Sequence, residues 1–303
     1  MNNNKFKKIK EDYLETAIPE ELEDILNKTL KECGVNMTKN KSPFKKFKVA
    51  TATVVASAML FTVGINASPV FAQSMLKLPL IGGIVEVMTF REYKIDDGTF
   101  NANLEAPAIS GLGNKELQNS LNEKYLKDNE ILYTQFQAEM EEMKEKNQGN
   151  EGHLGVDSGF VIKTDNEQIL AIGRYVVNTV ASSSTKFKYD TIDKKKEILL
   201  NLPSLFKDES YVELISANIK NQMLKENSLD ENKIYWTKGI GDEGFANIFE
   251  KISPEQSFYI NNDNKLVISF DKYEVAPGYM GVLEFIIPTE SINDVLVGNE
   301  YIK

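Results

Sequence analysis

Cysteine, histidine and tryptophan each occur once in these 303 residues. The lone cysteine, Cys33, excludes an intramolecular disulfide, so whatever folds here is held by its core. One histidine, His153, cannot build the histidine clusters of hydrolytic zinc sites, and no cysteine follows residue 33, so the sequence gives no metal site. His153 stands in "NQGNEGHLGVDSG", a polar Gly-rich loop, where a solvated histidine is a plainer reading than a base or a ligand. No serine occupies a G-x-S-x-G context, which removes the nucleophile-elbow signature. Paired carboxylates abound, as in "EMEEMKEK", and two suffice for a glycosidase. On an exposed helix face they are ordinarily just solvated. The sequence therefore singles out no catalytic residue and no cofactor.

Charge is missing altogether from residues 49 to 72. Of 35 basic and 45 acidic residues, the first 48 positions take 11 and 8, and those after 72 take 24 and 37. A basic tail of net +3 and an acidic body of net −13 thus flank an uncharged segment. In "FKKFKVATATVVASAMLFTVGINASPVFAQS", residues 44 to 74, basic Lys45, Lys46 and Lys48 precede an apolar middle from Val54 to Val63, and small residues follow at Val70 and Ala72. Those are the three parts of a secretory signal peptide, set unusually far into the chain. Lys39 and Lys41 add to the N-terminal flank, whereas Lys77 alone precedes Arg91 on the other side. The positive-inside rule then places the N-terminus in the cytoplasm and the body outside. As a helix, residues 49–72 reach about 36 Å, enough for a hydrocarbon core of about 30 Å. Thr51, Thr53, Ser57, Thr62, Gly64, Asn66 and Pro69 dilute the span, and a buried core helix is its bland alternative. An acidic exported body argues against nucleic acid and anionic lipid and favours a cationic partner.

The tail carries one clear helix, "AIPEELEDILNKTLKECG". Pro19 suits the first helical position, acidic residues the N-terminal end, Lys28 and Lys31 the C-terminal end, and Gly34 the stop. Leu22, Ile25, Leu26, Leu30 and Cys33 form its apolar stripe. A stripe with no core of its own implies a cytoplasmic protein partner, or a helix lying on the membrane. Residues 73–92, including "LPLIGGIVEVMTFREY", read as a connector to a body that starts near Tyr93.

In the body, Leu117, Leu121, Tyr125, Leu132, Phe136, Met140 and Met143 mark one face of a long amphipathic helix from Asn114 to about Asn147. "SGFVIKT", "QILAIGRYVVNTV" and "TKFKYDTI" read as strands, the middle one apolar enough on both faces to be central. Asp208 is expected to cap a second helix carrying Val212, Ile215, Ile219 and Met223. "FYINNDNKLVISF" reads as a hairpin and "LEFIIP" as a strand. The fold class expected is α+β: antiparallel sheet with packed helices in two successive parts, 93–195 and 196–303, preceded by one transmembrane helix and a short helical tail.

One loop between strands stands out, "FDKYEVAPGYMG" (270–281). Pro277 fixes its own dihedral, Gly278 permits a positive one, and Tyr273, Tyr279 and Met280 give contact surface on a stiff frame. It either recognises a partner or simply caps the core. Together with the span ending in "ASPVFAQS" and the connector, this segment resembles the anti-sigma-V family, membrane-spanning anti-sigma factors that sense lysozyme. The resemblance runs over most of the chain. It implies that residues 1–48 hold an extracytoplasmic-function sigma factor through Leu22, Ile25, Leu26 and Leu30. It also implies that bound lysozyme lets signal peptidase cut between Ala72 and Gln73, with Val70 and Ala72 as the small residues read. A site-two protease then releases the tail. The family's contact loop maps onto Pro277, Gly278 and Tyr279, with Ser182, Ser183 and Ser184 as a second segment. The rival readings are a membrane-anchored cell-wall glycan-binding module without a signalling role, and an exported glycan hydrolase using carboxylates.

Overall fold

In the computed structural model, residues 85–146, 152–240 and 248–303 are described. The first two strands, β1 (Glu86–Asp97) and β2 (Phe100–Ser110), form an antiparallel hairpin. Its turn passes through Gly98 at φ 64°, a conformation that suits glycine. Because β1 starts at Glu86, ahead of Tyr93, the last part of the segment read as connector is already sheet.

Helix α1 (Lys115–Lys146) follows, capped by Asn114, whose Oδ1 accepts the Leu117 N–H at 3.0 Å. Leu121, Tyr125 and Phe136 are buried along its inner face, with Leu117, Leu132, Met140 and Met143 packed beside them, as the periodicity predicts. This helix decides the topology. It carries the chain back along the sheet, so β3 (Leu154–Asp165) enters beside the start of β2, with Leu154 opposite Phe100, and runs parallel to it. The expected antiparallel sheet is therefore mixed, because a helical crossover returns the chain to the end at which β2 began. β4 (Ile169–Thr179), β5 (Ser183–Asp193) and β6 (Ile198–Leu200) then add antiparallel strands, completing a six-stranded sheet in sequence order.

β4 is buried on both faces from Ile169 to Arg174. Leu170 and Ile172 join Ile192, Leu121 and Tyr125 under α1, whereas Ile169 and Ala171 point the other way into a larger cluster. Also beneath α1, Arg174 reaches Asp128 at 2.9 Å and Asp190 at 3.3 Å, and Lys124 reaches Asp190 at 2.9 Å.

The larger cluster belongs to the second layer. It comprises α2 (Ser210–Leu229) and an antiparallel sheet of β7 (Phe258–Ile260), β8 (Leu266–Phe270) and β9 (Leu283–Ile287). Asp208 Oδ1 accepts the Ser210 N–H at 2.9 Å where α2 begins, and Tyr211, Val212, Ile215, Ile219 and Met223 make its buried face. The β7–β8 hairpin closes as expected, with Asn261 donating to the Lys265 carbonyl at 2.9 Å and Asn264 at φ 57°. All five residues of β8 are buried. The body is thus α+β. Among the described residues no helix is long and apolar enough to cross a membrane, and the expected span at 49–72 lies outside them.

Truncating the doubly covered strand provides a test of this layering. Ile172→Ala, at a fully buried position, is expected to cost about 2–5 kcal/mol in denaturant unfolding. Ile286→Ala, on the exposed face of β9, should stay within about 0.5 kcal/mol.

Candidate partner-binding surface

The loop between β8 and β9 is tied down along its length. At its root, Asp271 Oδ1 accepts the Phe187 N–H at 2.8 Å, and the Lys272 N–H donates to the Thr185 carbonyl at 3.0 Å. These bonds cover the outer edge of β5 where no strand pairs with it among the described residues. Burial raises the Asp271 carboxyl above its ordinary pKa, against the pull of the Phe187 N–H and of Lys186 and Lys188. Midway along the loop, Val275 and Ala276 are buried, and the Val275 carbonyl accepts the Trp236 N–H at 2.7 Å.

The exposed tip follows. Pro277 sits at φ −58° ahead of a 3-10 turn over Gly278–Met280, and Met280 donates back to the Pro277 carbonyl at 2.9 Å. Tyr279 is 66% exposed while its hydroxyl donates to the Asn232 carbonyl at 2.8 Å, so the ring is presented to solvent yet fixed. Gly278 serves differently from expectation. Positive φ falls at Tyr273 (71°) and Gly281 (71°), not at Gly278. A Cβ at Gly278 would lie 2.2 Å from the Tyr273 ring, so glycine lets that ring lie against the backbone.

Ser182, Ser183 and Ser184 occupy the β4–β5 turn and the first residues of β5. Lys272 Nζ donates to Ser183 Oγ at 2.8 Å, so the two segments paired by the family resemblance meet at the root of the loop. Leu22, Ile25, Leu26 and Leu30 of the tail, and Val70, Ala72 and Gln73 at the expected cut, lie outside the described residues. His153 is exposed just before β3.

Two features of the surface were not foreseen. One is a clasp between the layers: Glu284 on β9 pairs with Lys163 of β3 at 2.6 Å and accepts the hydroxyls of Tyr189 and Tyr259, each at 2.9 Å. Burial pushes the Glu284 carboxyl up, but Lys163 and the two hydroxyls together hold it below its ordinary value. The rings of Tyr175, Phe187, Tyr189 and Tyr259 pack in series beside it, 5.1 to 5.8 Å between neighbouring centroids.

The other feature is the sheet face away from α1. Asp96, Asn101, Gly155, Thr179 and Ser183 stand in one row across β1 to β5, and Lys94, Asn103, Asp157, Val177 and Thr185 in the next. A trough of about 370 Å³ runs over these rows, lined by Lys94, Asp96, Asn101, Asn103, Gly155, Asp157, Val177 and Thr179 among others. The sequence signal for it was glycine inside strand patterns, at 155, 159 and 173. The surface is suited to holding a partner: a fixed aromatic tip, a serine-rich root and an acidic sheet face beside it.

Residues 203–290, which include α2, β7 to β9 and the loop, match the family described as "Protein of unknown function (DUF3298)". The fold is shared with a crystal structure of a DUF3298 family member from Bacteroides fragilis NCTC 9343, at TM-score 0.53 and 15% identity, over 71% of this chain and 94% of that one. The relationship in sequence is narrower. Over 301 residues, 99% of both chains, this protein is 46% identical to Anti-sigma-V factor RsiV of Bacillus subtilis (strain 168), and it belongs to the anti-sigma-V factor family.

Gly278→Ala should force the Tyr273 ring aside and lower stability by about 1–3 kcal/mol. Adding Tyr273→Ala should restore most of that loss in thermal melts; a purely additive double variant would refute the contact. The clasp predicts a pH effect. With its folded pKa depressed, Glu284 contributes stability above the ordinary value of 4.5 that is lost as pH falls through the folded value. Unfolding curves between about pH 6 and pH 3 should therefore flatten in Glu284→Gln relative to the unmodified chain.

Proposed function

We propose that the protein is a membrane-bound anti-sigma factor whose tail sequesters an extracytoplasmic-function sigma factor and whose exported body is a receptor for lysozyme. The observation that carries this reading is the 46% identity over 99% of the chain to a protein named as an anti-sigma factor. In it, Leu22, Ile25, Leu26 and Leu30 form the face that holds the sigma factor, and the uncharged span from 49 to 72 anchors the chain with its tail inside. Pro277, Gly278 and Tyr279 form the lysozyme contact, with Ser182, Ser183 and Ser184 beside them. The stiff, solvent-facing Tyr279 supports that assignment, since a ring already held by Asn232 loses little freedom when bound. Lysozyme is strongly basic, and the net −13 of residues after 72 favours its approach, an effect on association rate more than on affinity.

Occupancy then permits signal peptidase to cut between Ala72 and Gln73. Small side chains at Val70 and Ala72 suit that enzyme, and Pro69 and Asn66 disfavour continued helix at the bond. A site-two protease completes release of the tail. The body acts as a binding device, and no catalytic residue is assigned.

An immunoblot of the tagged chain in its host's membranes, with and without lysozyme and beside Ala72→Trp, provides the test. Conversion to a shorter exported body should require lysozyme and be blocked by the variant. Cleavage at the same rate without lysozyme would reduce the segment to an ordinary leader.

A further inference from the structure

Three glycines project from β3 and β4 onto the sheet face away from α1, and two of them have an evident occupant. A Cβ at Gly159 would lie 2.7 Å from the Tyr175 hydroxyl, and one at Gly173 would lie 2.9 Å from the Tyr189 ring, so each glycine makes room for a flat side chain from the neighbouring strand. Gly155 continues the series but faces Thr179, which is too small to cover it. Nothing in the fold requires glycine there. Its φ is not positive, and the three atoms nearest a Cβ would be Thr179 Cβ at 3.4 Å and carbonyl oxygens at 3.8 and 3.9 Å, ordinary contacts. Glycine inside a strand weakens it, and one without a steric reason marks the close approach of something else.

Gly155 lies on the trough of about 370 Å³, and the other lining residues define the occupant. Asp157 and Asp96 line it, with Glu92 and Glu105 in the adjoining row. Its single basic lining residue, Lys94, is already engaged by Glu92 at 2.6 Å. Asn103 donates its Nδ2 to Asp157 at 3.0 Å, while its Oδ1 is buried without a hydrogen-bond partner among the described residues. The trough thus calls for a group that is flat, cationic and rich in N–H donors, which is the guanidinium of arginine. Two strand spacings separate Gly155 from Ser183, roughly 10 Å, so an arginine here and the contact loop would touch one partner at once.

We infer that the trough over Gly155 receives an arginine side chain of the basic protein bound by the loop, with Asp157 and Asp96 as its counter-charges. This rests on the reading that the body binds such a protein, and it adds a second, charge-reading contact to the loop.

The test uses the full chain in detergent, with lysozyme as the probe in titration calorimetry. Binding to the unmodified chain, weakened by Tyr279→Ala, tests the receptor reading by itself; no binding at all would remove that reading and the trough with it. Gly155→Val should leave the thermal midpoint equal or higher, because valine suits a strand and its Cβ would meet ordinary contacts, yet weaken lysozyme at least about tenfold. Asp157→Asn should weaken it in the same direction. Binding unchanged in Gly155→Val, with Tyr279→Ala still impaired, would overturn the trough and leave the receptor reading standing. Lysozyme with its arginines blocked by cyclohexanedione should bind the unmodified chain about as weakly as Gly155→Val binds native lysozyme. It should lose little more against Gly155→Val itself. Fully additive losses would overturn the assignment to arginine.

Discussion

Everything in the body depends on one strand being needed by two layers. β4 sends Leu170 and Ile172 into the core under α1 and Ile169 and Ala171 into the core of the second layer, so neither layer has a complete hydrophobic interior without it. A strand wet on one face would alternate apolar and polar residues; this one is apolar through "ILAIG" because both faces are dry. The polar exception, Arg174 at the end of that run, is answered by Asp128 and Asp190 and lies over the Tyr125 ring at 4.4 Å. A buried guanidinium so placed is tolerated only because both carboxylates are there, and removing one would leave charge stranded under the helix.

That shared strand also fixes where the loop between β8 and β9 stands. The second layer packs on β4 and the far part of β5, while β6 pairs only with Thr191 to Asp193, so the early part of β5 has an open edge among the described residues. The loop's first residues close that edge through Asp271 and Lys272. Its tip is therefore positioned by the bonds of Asp271 and Lys272 to the sheet, by the buried Val275 and Ala276, and by the Tyr279 hydroxyl on the Asn232 carbonyl. Glu284, Lys163 and the tyrosines beside them join β9 to β3, so the other end of the loop is held against the same sheet.

Much of this was legible in the sequence. The helical stripe from Leu117 to Met143, the doubly apolar β4 and the Asn-rich hairpin turn each carry a local signal, and each takes the form that signal implies. What escaped was non-local. The parallel pairing of β2 with β3 depends on where a helix delivers the chain, which residue periodicity does not encode. Gly278 was assigned a dihedral role because glycine usually has one in loops, whereas its neighbour in space, the Tyr273 ring, sets the requirement. Likewise the Gly155 row and the Glu284 clasp assemble from several strands, and the only local trace of the row is glycine within strand patterns.

The parallel junction has a consequence for how the body reaches its fold. β1 with β2, and β3 through β5, are each contiguous meanders that close over short turns. Asn103 and Asp157, by contrast, meet across 54 positions. Bringing those ends together costs chain entropy that no contact repays until α1 has formed and spanned the gap. The pairing of β2 with β3 is thus the long-range closure of the sheet, and that seam runs beneath the Asn103 and Asp157 wall of the trough. The acidic face is complete only when that last seam closes.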